Sequence, residues 1–216
     1  MRLMRRGDEL AIRVDGRELM SNRMHGSEDA LANLACDPLE KRRGHQPDLR
    51  ILIGGLGIGF TLAAALRRVG PKARVVVAEV VPAVVAWNRG ILGKAAGHPI
   101  EDPRASVHPG DVADLIRSPP ELWDAILLDV DNGPTGLTRS SNDWLYTWQG
   151  LGAAFEALQP QGVLGVWSAA PDDAFTRRVE RAGFEVDQVG VRSRGAKGGR
   201  RHIVWICTRM LDKPYG

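Results

Sequence analysis

Cysteine is scarce: Cys36 and Cys207 are the only two in 216 residues, they lie far apart, and neither sits at a metal-ligand spacing. That excludes a disulfide framework and a thiolate metal centre, so no metal is expected, and the two read as unpaired apolar fillers in a reducing compartment. Long apolar runs are missing too. No stretch approaches the roughly 20 residues of a membrane span, and the opening "LMRRG" leads into no signal-peptide core. The expected setting is the cytoplasm, with no membrane partner. Aromatic residues make up 6% of the chain, and none interleaves the two basic stretches, "EKRRGH" at 40–45 and "RSRGAKGGRRH" at 192–202. Base stacking has nothing to work with there, so both are expected as solvated loops and nucleic acid is not an expected partner. Net charge is only +3, and repeats and low-complexity tracts are absent.

What is present is 44% apolar residues in a length that suits one domain with a small appendage. "ELAIRVDGRELMS" alternates around Asp15-Gly16, a strong hairpin signal, and "GSEDALANLACDP" follows as a helix capped by Ser27 and ending before Pro38. These two make an amino-terminal cap over 1–38, with a polar linker over 39–49. The main body, 50–216, alternates strand and helix: "RILIGG", "ARVVVAEV", "ASVHPGD", "WDAILLDVD" and "GVLGVWS" are strands, with helices between them. "NDWLYTWQGLGAAFEALQP" reads as one amphipathic helix, and "FEVDQVGVRS" and "RHIVWICTR" as a closing strand pair. The pattern predicts an α/β, Rossmann-like doubly wound fold, with a mostly parallel seven-stranded sheet whose last strand is antiparallel.

In such a sheet, ligands bind beyond the carboxyl ends of the strands. The first of these ends carries Gly54, Gly55, Gly57 and Gly59. The dinucleotide fingerprint would need its third glycine at Phe60, and no Gly-Lys-Ser/Thr phosphate loop follows. A loop that meets a nucleoside without seating a pyrophosphate fits what is left, with a plain structural turn as the competing reading. Glu79 ends the second strand, where a carboxylate accepts from both ribose hydroxyls, and Asp111 ends the third, where it accepts from an adenine amino group or caps a helix. Val80 and Gly110 flank them. Asp129 ends the buried fourth strand with Asp131 two residues on. Two close carboxylates attract a cationic amine and raise each other's pKa, which suits proton acceptance. The competing reading is a turn with Asn132-Gly133-Pro134.

These motifs together resemble the spermidine synthase-like branch of the class I S-adenosylmethionine-dependent transferases. The likeness runs through "IRVDGRELMS", "EDALANL", "IGGLGIG", "VVVAEVVP", "HPGD", "WDAILLDVDNGP" and "LQPQGVLGVW". It implies that Gly55, Gly57, Glu79 and Asp111 bind the cofactor, that Asp129 receives a substrate amine, and that the protein is a homodimer. Three departures bear on the reaction. Aminopropyltransferases of this kind carry Asp where this chain has Gly57, a Tyr at the position of Ser27, and a second fourth-strand Asp at a spacing of three rather than two. Without an Asp at 57, nothing repels the carboxylate of ordinary S-adenosylmethionine, so methyl transfer to an amine or other small nucleophile is expected. The alternative is aminopropyl transfer from decarboxylated S-adenosylmethionine. A non-catalytic nucleoside- or nucleic-acid-binding homologue ranks last. His25, Trp144 and Tyr146 are expected near the substrate.

Overall fold

The β-branched segments pair as predicted in the computed structural model, which describes residues 1–130 and 140–210. The main sheet comprises β4 (Arg50–Gly54), β5 (Arg74–Glu79), β6 (Ala105–Pro109), β7 (Trp123–Leu128), β8 (Leu158–Ser168), β9 (Phe184–Arg192) and β10 (Arg201–Arg209). Its order is β6-β5-β4-β7-β8-β10-β9. The strands from β4 to β8 pair in parallel, and β10 runs antiparallel to both neighbours. The predicted sheet and its antiparallel last strand are therefore present.

Side-chain alternation sends each central strand into two cores. Ile51, Ile53, Ala125 and Leu127 face one cluster, which holds α1 (Gly26–Arg43) and α2 (Phe60–Arg68). Leu52, Ile126 and Leu128 face the other, with α5 (Val112–Arg117), α6 (Trp148–Ala157) and α7 (Asp173–Arg181). Near-continuous apolar strands are what burial on both faces requires. Two short helices, α3 (Pro82–Asn88) and α4 (Ile91–Ala96), follow β5, where the sequence suggested one.

The amino-terminal hairpin is there, with Asp15 and Gly16 at positive φ in its turn, but it belongs to a three-stranded sheet of β1 (Arg2–Arg6), β2 (Glu9–Val14) and β3 (Arg17–Ser21). The expected cap and linker boundaries need correction. Helix α1 does not stop before Pro38; it runs through it to Arg43, so 39–43 are helix rather than linker. Pro38 removes one helical N–H, yet Leu39 beyond it is fully buried. Arg68 from α2 binds both sides of the break, through the Asn33 carbonyl at 3.2 Å, Asp37 at 2.8 Å and Glu40 at 2.7 Å. Nor does Ser27 cap the helix: His25 holds the cap position, without a side-chain cap bond. Because α1 packs on α2 and the main sheet, it is part of the body.

The expected helix over 142–160 also divides. A 3₁₀ segment, Ser140–Tyr146, ends at Thr147, whose hydroxyl accepts from the Gly150 N–H at 3.2 Å and starts α6 afresh. Trp144 and Trp148 therefore do not share a helix face. Among the described residues, no helix is long and apolar enough to cross a membrane.

Candidate active site

The glycine loop joins β4 to α2, and its close approaches explain its composition. Gly55 has φ +89°, and a Cβ there would collide with the Asp129 carbonyl oxygen. Gly59, at φ +95°, starts α2 and lies against Pro99 and Asn88. Asn88 reaches back from α3, donating to the Gly57 carbonyl at 2.8 Å and the Val84 carbonyl at 3.0 Å. At Gly57, φ +51°, a Cβ would meet the Met20 thioether from β3, with Sδ at 3.0 Å.

Glu79 stitches the loop to its own strand end. Its Oε2 accepts from the Leu56 N–H at 3.0 Å and its Oε1 from the Val81 N–H at 2.8 Å. Each oxygen keeps one lone pair for a further donor. Asp111 caps α5 by accepting from the Ala113 N–H at 2.9 Å through Oδ1. Asp129 follows β7; its N–H donates to the Gly54 carbonyl at 3.0 Å, and its Oδ2 accepts from the Thr61 hydroxyl at 2.6 Å.

These groups line two chambers. The first is walled by Gly55, Gly57, Glu79, Val80, Gly110, Asp111 and Asp129, and roofed by Ile12, Leu19 and Met20 of the amino-terminal sheet. The second is walled by Ser27, Glu28, Asp129, Trp167, Arg200 and His202. Leu19, Met20 and Asp129 belong to both and mark where the chambers meet. Gly54 and Gly59 stand behind the loop rather than on its surface: the former packs against Val112, the latter against Pro99.

The other expected residues divide differently. Asp131 lies outside the described residues. His25 lines neither chamber; its ring stacks on Phe60 with centroids 4.1 Å apart, and its Nδ1 lies 2.8 Å from Asp29 Oδ2. Trp144 and Tyr146 are likewise placed away from both chambers. The Arg117 guanidinium sits 3.9 Å over the Trp144 ring, and Tyr146 is 5% exposed, edge-on to Phe175 in the core. Apolar packing on the α5–α7 face has claimed both rings.

One lining residue, Glu28, carried no recognised sequence signal. Glu28 reads as an ordinary first-turn acid of α1, yet burial and then the nearby Asp129 charge push its carboxyl up to about 7. Ser27 donates to Glu28 Oε2 at 2.6 Å and lies 3.0 Å from His202 Nδ1. Trp167 packs edge-on against His202, with centroids 4.8 Å apart. Its buried indole N–H has no hydrogen-bond partner among the described residues. The basic 192–202 stretch, expected as a solvated loop, supplies Ser193, Arg200 and His202 to the second chamber.

Solved structures share this architecture. The spermidine synthase from Thermotoga maritima matches with a TM-score of 0.72 and 20% identity, over 94% of this chain and 66% of its own. A spermidine synthase in complex with the transition-state analogue AdoDATO gives 0.71 and 19%, with the same coverage. Human methyltransferase-like protein 13, in complex with SAH, gives 0.62 and 21%, over 88% of this chain and 84% of its own. The chain thus spans about two thirds of the length of these spermidine synthases, 66% in each. No family model matches the chain, and no curated protein sequence does. The fold is the one common to spermidine synthases and class I S-adenosylmethionine-dependent methyltransferases.

Proposed function

We propose that the protein is an S-adenosylmethionine-dependent methyltransferase on a spermidine synthase-like scaffold, acting on an amine or other small nucleophile. The donor set of the first chamber suits a nucleoside. Glu79 has acceptor capacity left for ribose hydroxyls, Asp111 has its second oxygen for an adenine amino group, and Val80 and Val112 offer apolar surface to the ring faces. When bound, the sulfonium supplies an electrophilic methyl carbon. The protein's task is then to hold the nucleophile in line and take its proton. Asp129, shared by the two chambers, is the side chain suited to orient a nucleophile arriving from the second.

The observation that carries the choice of methyl is position 57. It offers no charge to the amino-acid end of the cofactor, and the neighbouring group is the neutral Met20 thioether. A carboxylate there would favour a cofactor that has an ammonium but no carboxylate. One observation favours a second reading. The Glu28–Asp129 pair beside Trp167 is an acidic, aromatic chamber that also suits the diamine acceptor of an aminopropyltransferase.

Titration calorimetry with S-adenosylmethionine and its decarboxylated form separates the two. Tighter binding of the ordinary cofactor is expected, and tighter binding of the decarboxylated one would establish the second reading. Glu79→Ala should weaken either by roughly 1.5–3 kcal/mol, the worth of charged hydrogen bonds. A homodimer forms part of the same proposal, and light scattering on the purified protein reads it directly.

A further inference from the structure

We infer that Glu28 is the group that takes the proton from the acceptor amine, while Asp129 stays ionised and orients it. This rests on the transferase reading above and assigns the proton step within it. Both carboxylates line the second chamber, but their surroundings differ in kind. The Thr61 hydroxyl donates to Asp129 Oδ2 at 2.6 Å, a short bond to an anion that favours the charged form. Asp129 also lines the first chamber, into which the cofactor of the transferase reading would bring positive charge. Both features make it a poor base and a good electrostatic anchor.

Glu28 has the opposite setting. It stands at the start of α1, largely desolvated, with Asp129 as its strongest charged neighbour and Asp29 adding to the repulsion. Its own hydrogen bond comes from Ser27, which is held in turn by His202. The hydroxyl proton of Ser27 points to Glu28, so His202 Nδ1 must be the donor to the Ser27 oxygen. The result is a directed chain, His202 N–H to Ser27 O–H to Glu28, that fixes the carboxylate without supplying a charge. Burial and the Arg200 guanidinium hold the His202 pKa down, so the ring is neutral near pH 7 and orients Glu28 rather than competing with it. The other charged groups lining the chamber are Glu18 on β3 and Arg200, before β10. Two carboxylates in such different surroundings divide into an anion and a base.

The step balances simply. An acceptor ammonium gives one N–H proton to a Glu28 oxygen, and the nitrogen lone pair so freed forms the bond to the methyl carbon. The carbon–sulfur bond breaks with its electron pair remaining on sulfur. Glu28 then returns its proton to solvent.

The deciding experiment is a carbon-13 carboxyl titration of the whole protein labelled with δ-carbon-13 glutamate, the Glu28 signal being the one lost in Glu28→Gln. A midpoint near 7 is expected. It should move toward the ordinary carboxylate range in Asp129→Asn, which removes the main repulsion. The companion measurement follows S-adenosylhomocysteine release from S-adenosylmethionine, with 1,3-diaminopropane as acceptor probe. In wild type kcat/KM should rise tenfold per pH unit up to about 7. Glu28→Gln should lower the plateau at least 100-fold and flatten the rise, whereas Asp129→Asn should keep a rise displaced to lower pH. A Glu28 midpoint near 4, a rise that survives in Glu28→Gln, or no release by wild type overturns the inference. Cofactor binding is read by calorimetry on the same samples. Its absence overturns the transferase reading, while intact binding with a midpoint near 4 overturns the Glu28 assignment alone.

Discussion

Position 57 offers the sharpest perturbation, because one substitution there restores the missing charge. Gly57→Asp is sterically feasible: at φ +51°, Asp is among the better-tolerated L residues, and the contact its Cβ meets is the flexible end of Met20, with Sδ at 3.0 Å and Cε at 3.4 Å. A carboxylate about 4 Å from the ammonium of decarboxylated S-adenosylmethionine gains ~1 kcal/mol where water screens it, and ~4 kcal/mol at an effective dielectric of about 20. Ordinary S-adenosylmethionine brings an ammonium and a carboxylate together, so attraction and repulsion largely cancel. The ratio of the two affinities should therefore move toward the decarboxylated form by about 5- to 1,000-fold. Titration calorimetry of each cofactor into wild type and variant measures it. Adding Met20→Ala removes the steric contact and isolates the electrostatic part. An unchanged ratio in both the single and the double variant would refute the reasoning, since position 57 would then not face the amino-acid end of the cofactor.

Three further outcomes follow from the same geometry. Gly55→Ala should lower the urea midpoint, because φ +89° alone costs an L residue roughly 1–3 kcal/mol and the new Cβ displaces the Asp129 carbonyl; an unshifted midpoint contradicts this. Glu28→Gln should stabilise the fold at high pH. The native pKa is raised from 4.5 to about 7, so whatever stability Glu28 contributes is complete below 4.5 and is lost as pH rises through 7. The gain should be roughly 1–3 kcal/mol at pH 8 and near zero at pH 4, and equal urea midpoint shifts at both pH values would count against it. Neither cysteine should react with maleimide in the native protein at pH 8, and both should react in urea. Burial pushes the Cys36 thiol up to about 12 and Cys207 further, so rapid native labelling of either would show that its segment opens.

The sheet was legible because its strands are short apolar runs set between turn residues, and because parallel strands buried on both faces leave few other readings. Helix boundaries were less legible, each for a local reason. Pro38 ordinarily ends a helix, but Arg68, 31 residues from its Asp37 partner, braces α1 on both sides of it, and no local pattern announces such a contact. The run from Asn142 to Ala157 has helical periodicity throughout, yet Thr147 satisfies the Gly150 N–H and divides it. Tyr146 and Trp144 illustrate a related ambiguity. An aromatic residue in the helical run after a strand-end acid fits a substrate wall and a core equally well in sequence. Here the rings of Phe175 and Arg117's guanidinium decide for packing.

His202 reaches the second chamber for a topological reason that the antiparallel strand makes plain. In a parallel sheet every strand brings its carboxyl end to the ligand edge, so attention falls on residues 55–59, 79, 111 and 129. An antiparallel strand inserted in that sheet is inverted, and it must bring its amino end to the same edge. Ile203 at the start of β10 pairs with Ser168 at the end of β8, which sets His202 beside Trp167. Helix α1 packs across β8 and β10, and its own start lies at that edge as well, so Ser27 meets His202 although 175 residues separate them. Because "RHIVWICTR" is antiparallel, its second residue, His202, is a site candidate on the same footing as Glu79 or Asp111. The inversion thus accounts for a basic turn and a histidine converging on the edge that carries the strand-end glycines and acids.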